Sequence, residues 1–110
     1  MNDFEIIKLM LGLGFNILIV KVIKRLLKIP RPLMLNSSTY GMPSTRAASL
    51  FFITLYLILT NNVTRNTIII MFSITILLCA IKYFMKEHSL LQLLAGSLLG
   101  LITAYTFYRI

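Results

Sequence analysis

The sequence predicts an all-α integral membrane protein, a single domain built as a bundle of four helices. Of its 110 residues, 58% are hydrophobic and 13% are charged, whereas about 25% of the residues of an ordinary soluble domain are charged. A chain this short has a high ratio of surface to volume, so most of its apolar side chains must face outward. Lipid is the solvent that suits such a surface.

Four apolar stretches predict the helices, at about residues 4–23, 44–60, 66–85 and 88–108. A membrane-spanning helix needs about 20 residues. The outer two stretches meet this length, and the middle two reach it only with their polar ends included. An open β-strand in lipid would leave backbone groups unpaired, so helix is favoured despite the many Ile and Thr residues of 68–76. The long connection 24–43 contains all three prolines, and we expect function there.

The charges are distributed unevenly over the predicted bundle. Eleven Lys and Arg residues against three acidic residues give a net charge of +8. If the helices alternate in direction, one end of the bundle holds the end of helix one, the start of helix two, the end of helix three and the start of helix four. We name this end of the bundle the cationic end. Anionic lipid headgroups or a phosphate substrate fit it better than nucleic acid does. Eight cations and the only histidine fall there: Lys21, Lys24, Arg25, Lys28, Arg31, Arg46, Lys82, Lys86 and His88.

Two polar patches lie at the cationic end. In the first, Lys24 and Arg31 lie seven positions apart, and a proline follows Arg31. In the second, Ser44 precedes helix two and is expected to cap it, which leaves the backbone N–H groups of Thr45 and Arg46 directed at the space above the helix. Such a helix start is well suited to binding an anion.

A third patch lies around the start of helix four. Lys82 lies six positions before His88, and Gln92 lies four positions after it. His88 and Gln92 therefore share one face of the predicted helix.

Together the three patches resemble the motifs of the type 2 phosphatidic acid phosphatase superfamily, which read K-x6-R-P, P-S-G-H and S-R-x5-H-x3-D. The resemblance covers about residues 24–100 and implies the four-helix catalytic core of that fold. It differs from the family at Thr45, Arg46, Lys82 and Gln92, where the family has Gly, His, Arg and Asp. Dolichyl diphosphatases are similar in carrying Gln at the last position. The matching residues are Lys24, Arg31, Pro32, Pro43, Ser44 and His88.

The resemblance implies a role for each site residue. His88 would attack phosphorus and form a phosphohistidine, with Gln92 accepting a hydrogen bond from the imidazole and Arg46 supplying charge. Arg46 cannot donate a proton at neutral pH, so a substrate whose leaving group needs no proton is favoured. A polyprenyl diphosphate meets this condition better than phosphatidate does. The phosphate-binding residues would be Lys24, Arg31, Ser44, Thr45 and Lys82.

Two functions from different classes remain open at this point. The chain is either a lipid phosphatase or diphosphatase, or an inactive relative that binds lipid phosphate or serves as a structural membrane protein. No metal or other cofactor is expected, because the chain supplies the cations and has no carboxylate cluster. The expected partners are a phosphorylated lipid and membrane lipids, with no nucleic acid. The protein is expected to be multi-pass, with the endoplasmic reticulum or a viral membrane as open alternatives.

Four glycines are expected to allow close helix contact. Gly96 and Gly100 have the spacing of small residues at helix interfaces, and Gly12 and Gly14 are interpreted in the same way. Packing inside the bundle is the first interpretation, and a homo-oligomer formed through these residues is the second.

Overall fold

The computed structural model describes residues 2–27, 44–85 and 90–110. They form four helices, α1 (Asp3–Leu27), α2 (Thr45–Thr60), α3 (Arg65–Phe84) and α4 (Leu90–Arg109). No strand occurs within these ranges, so the prediction of an all-α membrane bundle is confirmed. The predicted helix bounds agree within a few residues except at the end of α1, which continues beyond residue 23. The connection predicted at 24–43 is therefore helical over its first four residues.

Three of the helices in the described ranges are long and apolar enough to cross a membrane. They are α1 with 25 residues and α3 and α4 with 20 residues each. Their large apolar side chains are widely exposed on the outside of the bundle, where lipid would cover them. Helix α3 reaches this length because it includes the polar end with Lys82 and ends at Phe84, in agreement with the predicted range 66–85. Helix α2, with 16 residues, is shorter than the other three.

The closest packing in the bundle joins α2 to α4. A side chain at Gly96 would overlap the backbone carbonyl of Ser44, and one at Gly100 would overlap the carbonyl of Ala48. Because both contacts advance by four residues along each helix, α2 and α4 run in the same direction. The expectation that these two glycines serve packing inside the bundle is confirmed.

Helix α1 packs antiparallel against this central pair. Near its start, the Tyr56 hydroxyl donates a hydrogen bond to the Glu5 carbonyl at 2.9 Å. One to two turns further on, a side chain at Gly12 would meet the rings of Phe52 and Phe107. Among the described residues, no atom lies within 4 Å of a Cβ position at Gly14, so the expectation that it also serves packing is wrong.

Helix α3 lies on the other side of α2 and runs antiparallel to it. Cys79 forms a small buried cluster with Ala47 and Leu93, and further along the helix the hydroxyls of Thr54 and Thr75 lie 2.7 Å apart. Thr75 also donates to the carbonyl of Met71 at 3.0 Å, so Thr54 is the donor of the hydrogen bond between the two helices. These directions place the end of α3 beside the starts of α2 and α4, as expected for the cationic end.

Candidate functional site

The candidate site is built around Ser44, the residue that precedes α2. Ser44 has an extended backbone, and its hydroxyl accepts a hydrogen bond from the N–H of Ala47 at 3.2 Å. The predicted role of Ser44 as helix cap is therefore confirmed. The residue is fully buried, whereas a cap on a helix end normally faces water. Because this cap is buried, the start of α2 lies inside the end of the bundle and not on its surface.

A backbone hydrogen bond joins the start of α2 to the start of α4. The N–H of Ser44 donates to the carbonyl of Gln92 at 3.2 Å. The Gln92 side chain is buried as well, with 3% of its surface exposed. One turn further along α4, Gly96 allows the two backbones to approach closely enough for this bond. Two of the three sequence patches thus meet in direct contact, although they are 48 positions apart in the sequence.

The first turn of α2 offers two backbone donors. In the part of the chain that the structure describes, the N–H groups of Thr45 and Arg46 have no hydrogen-bond acceptor. The first N–H groups of any helix lack a partner within the helix, and the helix dipole adds partial positive charge there. Thr45 is half-buried and Arg46 is exposed, so these donors lie at the edge of the bundle and not in its core.

Lys24 is distinguished by its burial from the other cations near the end of α1. It is half-buried, whereas Lys21 and Arg25 on either side of it are exposed. It continues a stripe of buried residues that recur every fourth position, Gly12, Asn16 and Val20. The Cα–Cβ bonds of a helix tilt toward its N-terminus, so the stem of Lys24 is directed back along this stripe. This placement separates Lys24 from cations that merely extend toward the membrane surface.

Lys82 brings a second half-buried ammonium group to the same end. It lies three residues after Cys79, which is buried against the first turns of α2 and α4. Lys24 and Lys82 therefore flank the central pair of helices, one from α1 and one from α3. Within the described ranges, no three side chains of His, Cys, Asp or Glu lie close enough to hold a metal ion.

The structure thus gathers six of the predicted site residues at one end of the bundle, with Ser44 and Gln92 in direct contact. Arg31, Pro32, Pro43 and His88 lie outside the described residues, so their roles remain predictions. The gathered residues are Lys24, Ser44, Thr45, Arg46, Lys82 and Gln92.

Asn16 is a buried polar residue that no sequence motif singled out. It is fully buried within α1, on the same stripe as Lys24. A single amide in an apolar run carries no spacing motif. The signal that could have found it is the recurrence at every fourth position of Gly12, Asn16, Val20 and Lys24.

Comparison with known proteins adds no relative to this description. No protein-family model, no curated protein and no solved structure matches the chain. A functional assignment therefore depends on the residues of the chain and on the geometry of the cationic end.

Proposed function

We propose that the protein is a membrane-embedded lipid diphosphatase that hydrolyses a polyprenyl diphosphate through a phosphohistidine. The observation that supports this most is the hydrogen bond from the Ser44 N–H to the Gln92 carbonyl. It joins the patches that resemble the second and third motifs of the type 2 phosphatidic acid phosphatases. The two half-buried lysines, Lys24 and Lys82, lie at the same end of the bundle.

In the proposed mechanism the protein supplies the positive charge that the transferred phosphoryl group needs. Catalysis of phosphoryl transfer consists mainly of positioning and of stabilising the charge on the equatorial oxygens. Lys24 and Lys82 would neutralise these oxygens, and the N–H groups of Thr45 and Arg46 would donate hydrogen bonds to them. Arg31 would add a further cation, as its place in the first motif implies.

His88 would act as the nucleophile. Its imidazole attacks the terminal phosphorus, a bond from nitrogen to phosphorus forms, and the anhydride bond breaks to release the polyprenyl monophosphate. Water then attacks the phosphohistidine, which frees inorganic phosphate and regenerates the imidazole. The Gln92 amide oxygen would accept a hydrogen bond from the second ring nitrogen and so fix the tautomer. Gln92 adds no negative charge, unlike the aspartate of most relatives.

The substrate preference provides the first test. Arg46 stands where the family has the histidine that protonates the leaving oxygen, and general acid catalysis contributes about 10²–10⁴-fold in rate. A phosphate leaving group needs no such proton, whereas the alkoxide of a phosphatidate does. We expect detergent-purified protein to release phosphate from a polyprenyl diphosphate about 100-fold faster than from phosphatidate. Both substrates are presented in the same mixed micelles, and faster release from phosphatidate refutes the proposal.

Lys24 and Lys21 offer a matched pair of variants. Lys24→Met removes a half-buried cation of the proposed site, and Lys21→Met removes an exposed cation from the preceding turn. A hydrogen bond to a charged group contributes about 1.5–3 kcal/mol, so we expect Lys24→Met to lower kcat/KM about 10- to 100-fold. Lys21→Met is expected to change kcat/KM less than about twofold, because surface cations contribute little. Equal losses in both variants would show that general surface charge is what matters.

A second function is favoured by Arg46. Its side chain is exposed, and it replaces the catalytic histidine of the resembled family. We therefore keep as the alternative an inactive relative that binds lipid phosphate at the cationic end without turnover. Saturable binding of a polyprenyl diphosphate, with no phosphate released from any ester or anhydride, would select this alternative.

We also propose that all four helices cross the membrane. Helix α2 has 16 residues, but it packs against each of the other three helices. Enclosure by neighbours reduces its contact with lipid, so a shorter helix is tolerated at this position. The proposed location is either the endoplasmic reticulum membrane or a viral membrane.

A further inference from the structure

The amide of Asn16 is buried within the bundle. The residue is fully buried, and neither its oxygen nor its nitrogen is bonded to any group in the described part of the chain. An asparagine amide offers two donors and two acceptor lone pairs. Burial of such a group is unfavourable unless it is hydrogen-bonded. The position therefore calls for a polar ligand.

The packing of α1 on α4 indicates which residue faces Asn16. Gly12 and Phe15 both lie against Phe107. Asn16 lies one turn beyond Gly12, and Thr103 lies one turn before Phe107 on the same face of α4. Because the two helices are antiparallel, Asn16 and Thr103 occupy facing turns. Thr103 is also buried, with 5% of its surface exposed.

The Thr103 hydroxyl can accept a hydrogen bond but has no proton left to give. It donates to the Leu99 carbonyl of its own helix at 2.9 Å, so its lone pairs are the part that remains for a ligand. A ligand between Asn16 and Thr103 must therefore donate to Thr103, and it must also satisfy both the donors and the acceptor of an amide.

We propose that Asn16 and Thr103 bind a buried water molecule between α1 and α4. Water has both the donors and the acceptor that this pair needs, and buried waters typically make two to four such bonds. An ion does not fit, because the nearest charged residues of the helix that carries Asn16 are Lys8 and Lys21, more than one turn away. An uncompensated charge at this depth would be strongly unfavourable. The water site is separate from the candidate site at the cationic end, since the fully buried Val20 lies between Asn16 and Lys24.

This water would link α1 to the central pair of helices by hydrogen bonds. Asn16 and Lys24 lie on one stripe of α1, eight residues apart. A link at Asn16 therefore fixes the rotation of α1 about its axis, and with it the direction in which Lys24 projects.

The water can be detected in the wild-type protein. We expect the Asn16 side-chain amide protons, in full-length protein labelled with ¹⁵N-asparagine in micelles, to show a cross-peak with water. Rotating-frame spectra distinguish a long-lived bound water from chemical exchange by the sign of the peak. The Asn16→Leu variant assigns the resonance. An Asn16 amide without any cross-relaxation to water would overturn the proposal.

A double-mutant cycle tests the bridge. Leucine has the same branched skeleton as asparagine, and valine has that of threonine, so Asn16→Leu and Thr103→Val remove polarity with little change in shape. We expect each variant to lower the folding equilibrium constant about fivefold, and the double variant to lose less than the product of the two. Thr106→Val is the control, since Thr106 is exposed and donates only to Ile102 of its own helix.

The opposite result has a clear meaning. If the Asn16 amide binds nothing, replacing it with an apolar group of the same skeleton leaves stability unchanged or raises it. A neutral or stabilising Asn16→Leu would thus refute the water site, as would strictly additive effects in the cycle. If Asn16→Leu does not fold, the spectra of the wild-type protein still decide the question, with Asn16→Asp used for assignment.

Discussion

Replacing Gly100 with alanine is expected to destabilise the bundle by about 3 kcal/mol, the upper part of the usual cost of overpacking. A methyl group at this position would overlap the carbonyl of Ala48 and lie 3.0 Å from the N–H nitrogen of Phe52. Both are backbone atoms of α2, so no rotamer change can make room, and the two central helices must move apart. Thermal or denaturant unfolding in detergent, followed by circular dichroism, measures the loss.

Two other glycines serve as graded controls. At Gly12 the overlap is with the ring of Phe52, a side chain that can shift, so Gly12→Ala is expected to cost less than Gly100→Ala. At Gly14 a methyl group would meet no atom of the described residues within 4 Å, and alanine is a better helix former than glycine by about 1 kcal/mol. Gly14→Ala should therefore be neutral or slightly stabilising. A Gly100→Ala protein as stable as Gly14→Ala would contradict the close contact between α2 and α4.

Replacing His88 with alanine is expected to abolish phosphate release, with kcat lowered by at least about 10⁴-fold, as for removal of a catalytic nucleophile. Only the imidazole at this position can form the phosphohistidine of the proposed mechanism. Phosphate release from a polyprenyl diphosphate measures the rate. Acid-labile ³²P-labelling of the protein with a terminally labelled substrate measures the intermediate, and we expect the wild type alone to be labelled.

Thermal unfolding serves as the control for the fold of the His88→Ala variant, and its transition should match that of the wild type. If the folded variant keeps its activity, His88 is not the nucleophile. If the wild type itself shows neither turnover nor labelling but still binds the lipid, the inactive alternative is the correct one.

The sequence predicted the helices and the described part of the cationic end well, because both follow from the lengths and flanks of apolar runs. Four residues assigned to that end lie outside the described residues: Lys28, Arg31, Lys86 and His88. The predicted end of α1, at residue 23, was one turn too early. Lys24 and Arg25 look like the start of a polar loop, but both are good helix formers. Cations in the last turn also complement the negative end of the helix dipole, so the helix continues to Leu27.

The glycines show how spacing limits such predictions. Gly96 and Gly100 lie four residues apart and share a helix face, so their common role in packing could be predicted. Gly12 and Gly14 lie two residues apart and face roughly opposite directions on a helix. The prediction that both serve helix packing was therefore wrong. The capping by Ser44 was predictable from its local position. Its hydrogen bond to Gln92 was not, because nothing in the sequence states which helices touch.

The central position of α2 has a consequence for how the protein is made. The closest partner of α2 is α4, which leaves the ribosome only after α3 and both connections have been synthesised. Until then, Ala48 and the neighbouring backbone of α2 lack the surface that covers them in the finished bundle. Synthesis of the first three helices therefore precedes formation of the core, and a nascent chain halted before α4 would present this unshielded helix to chaperones and proteases.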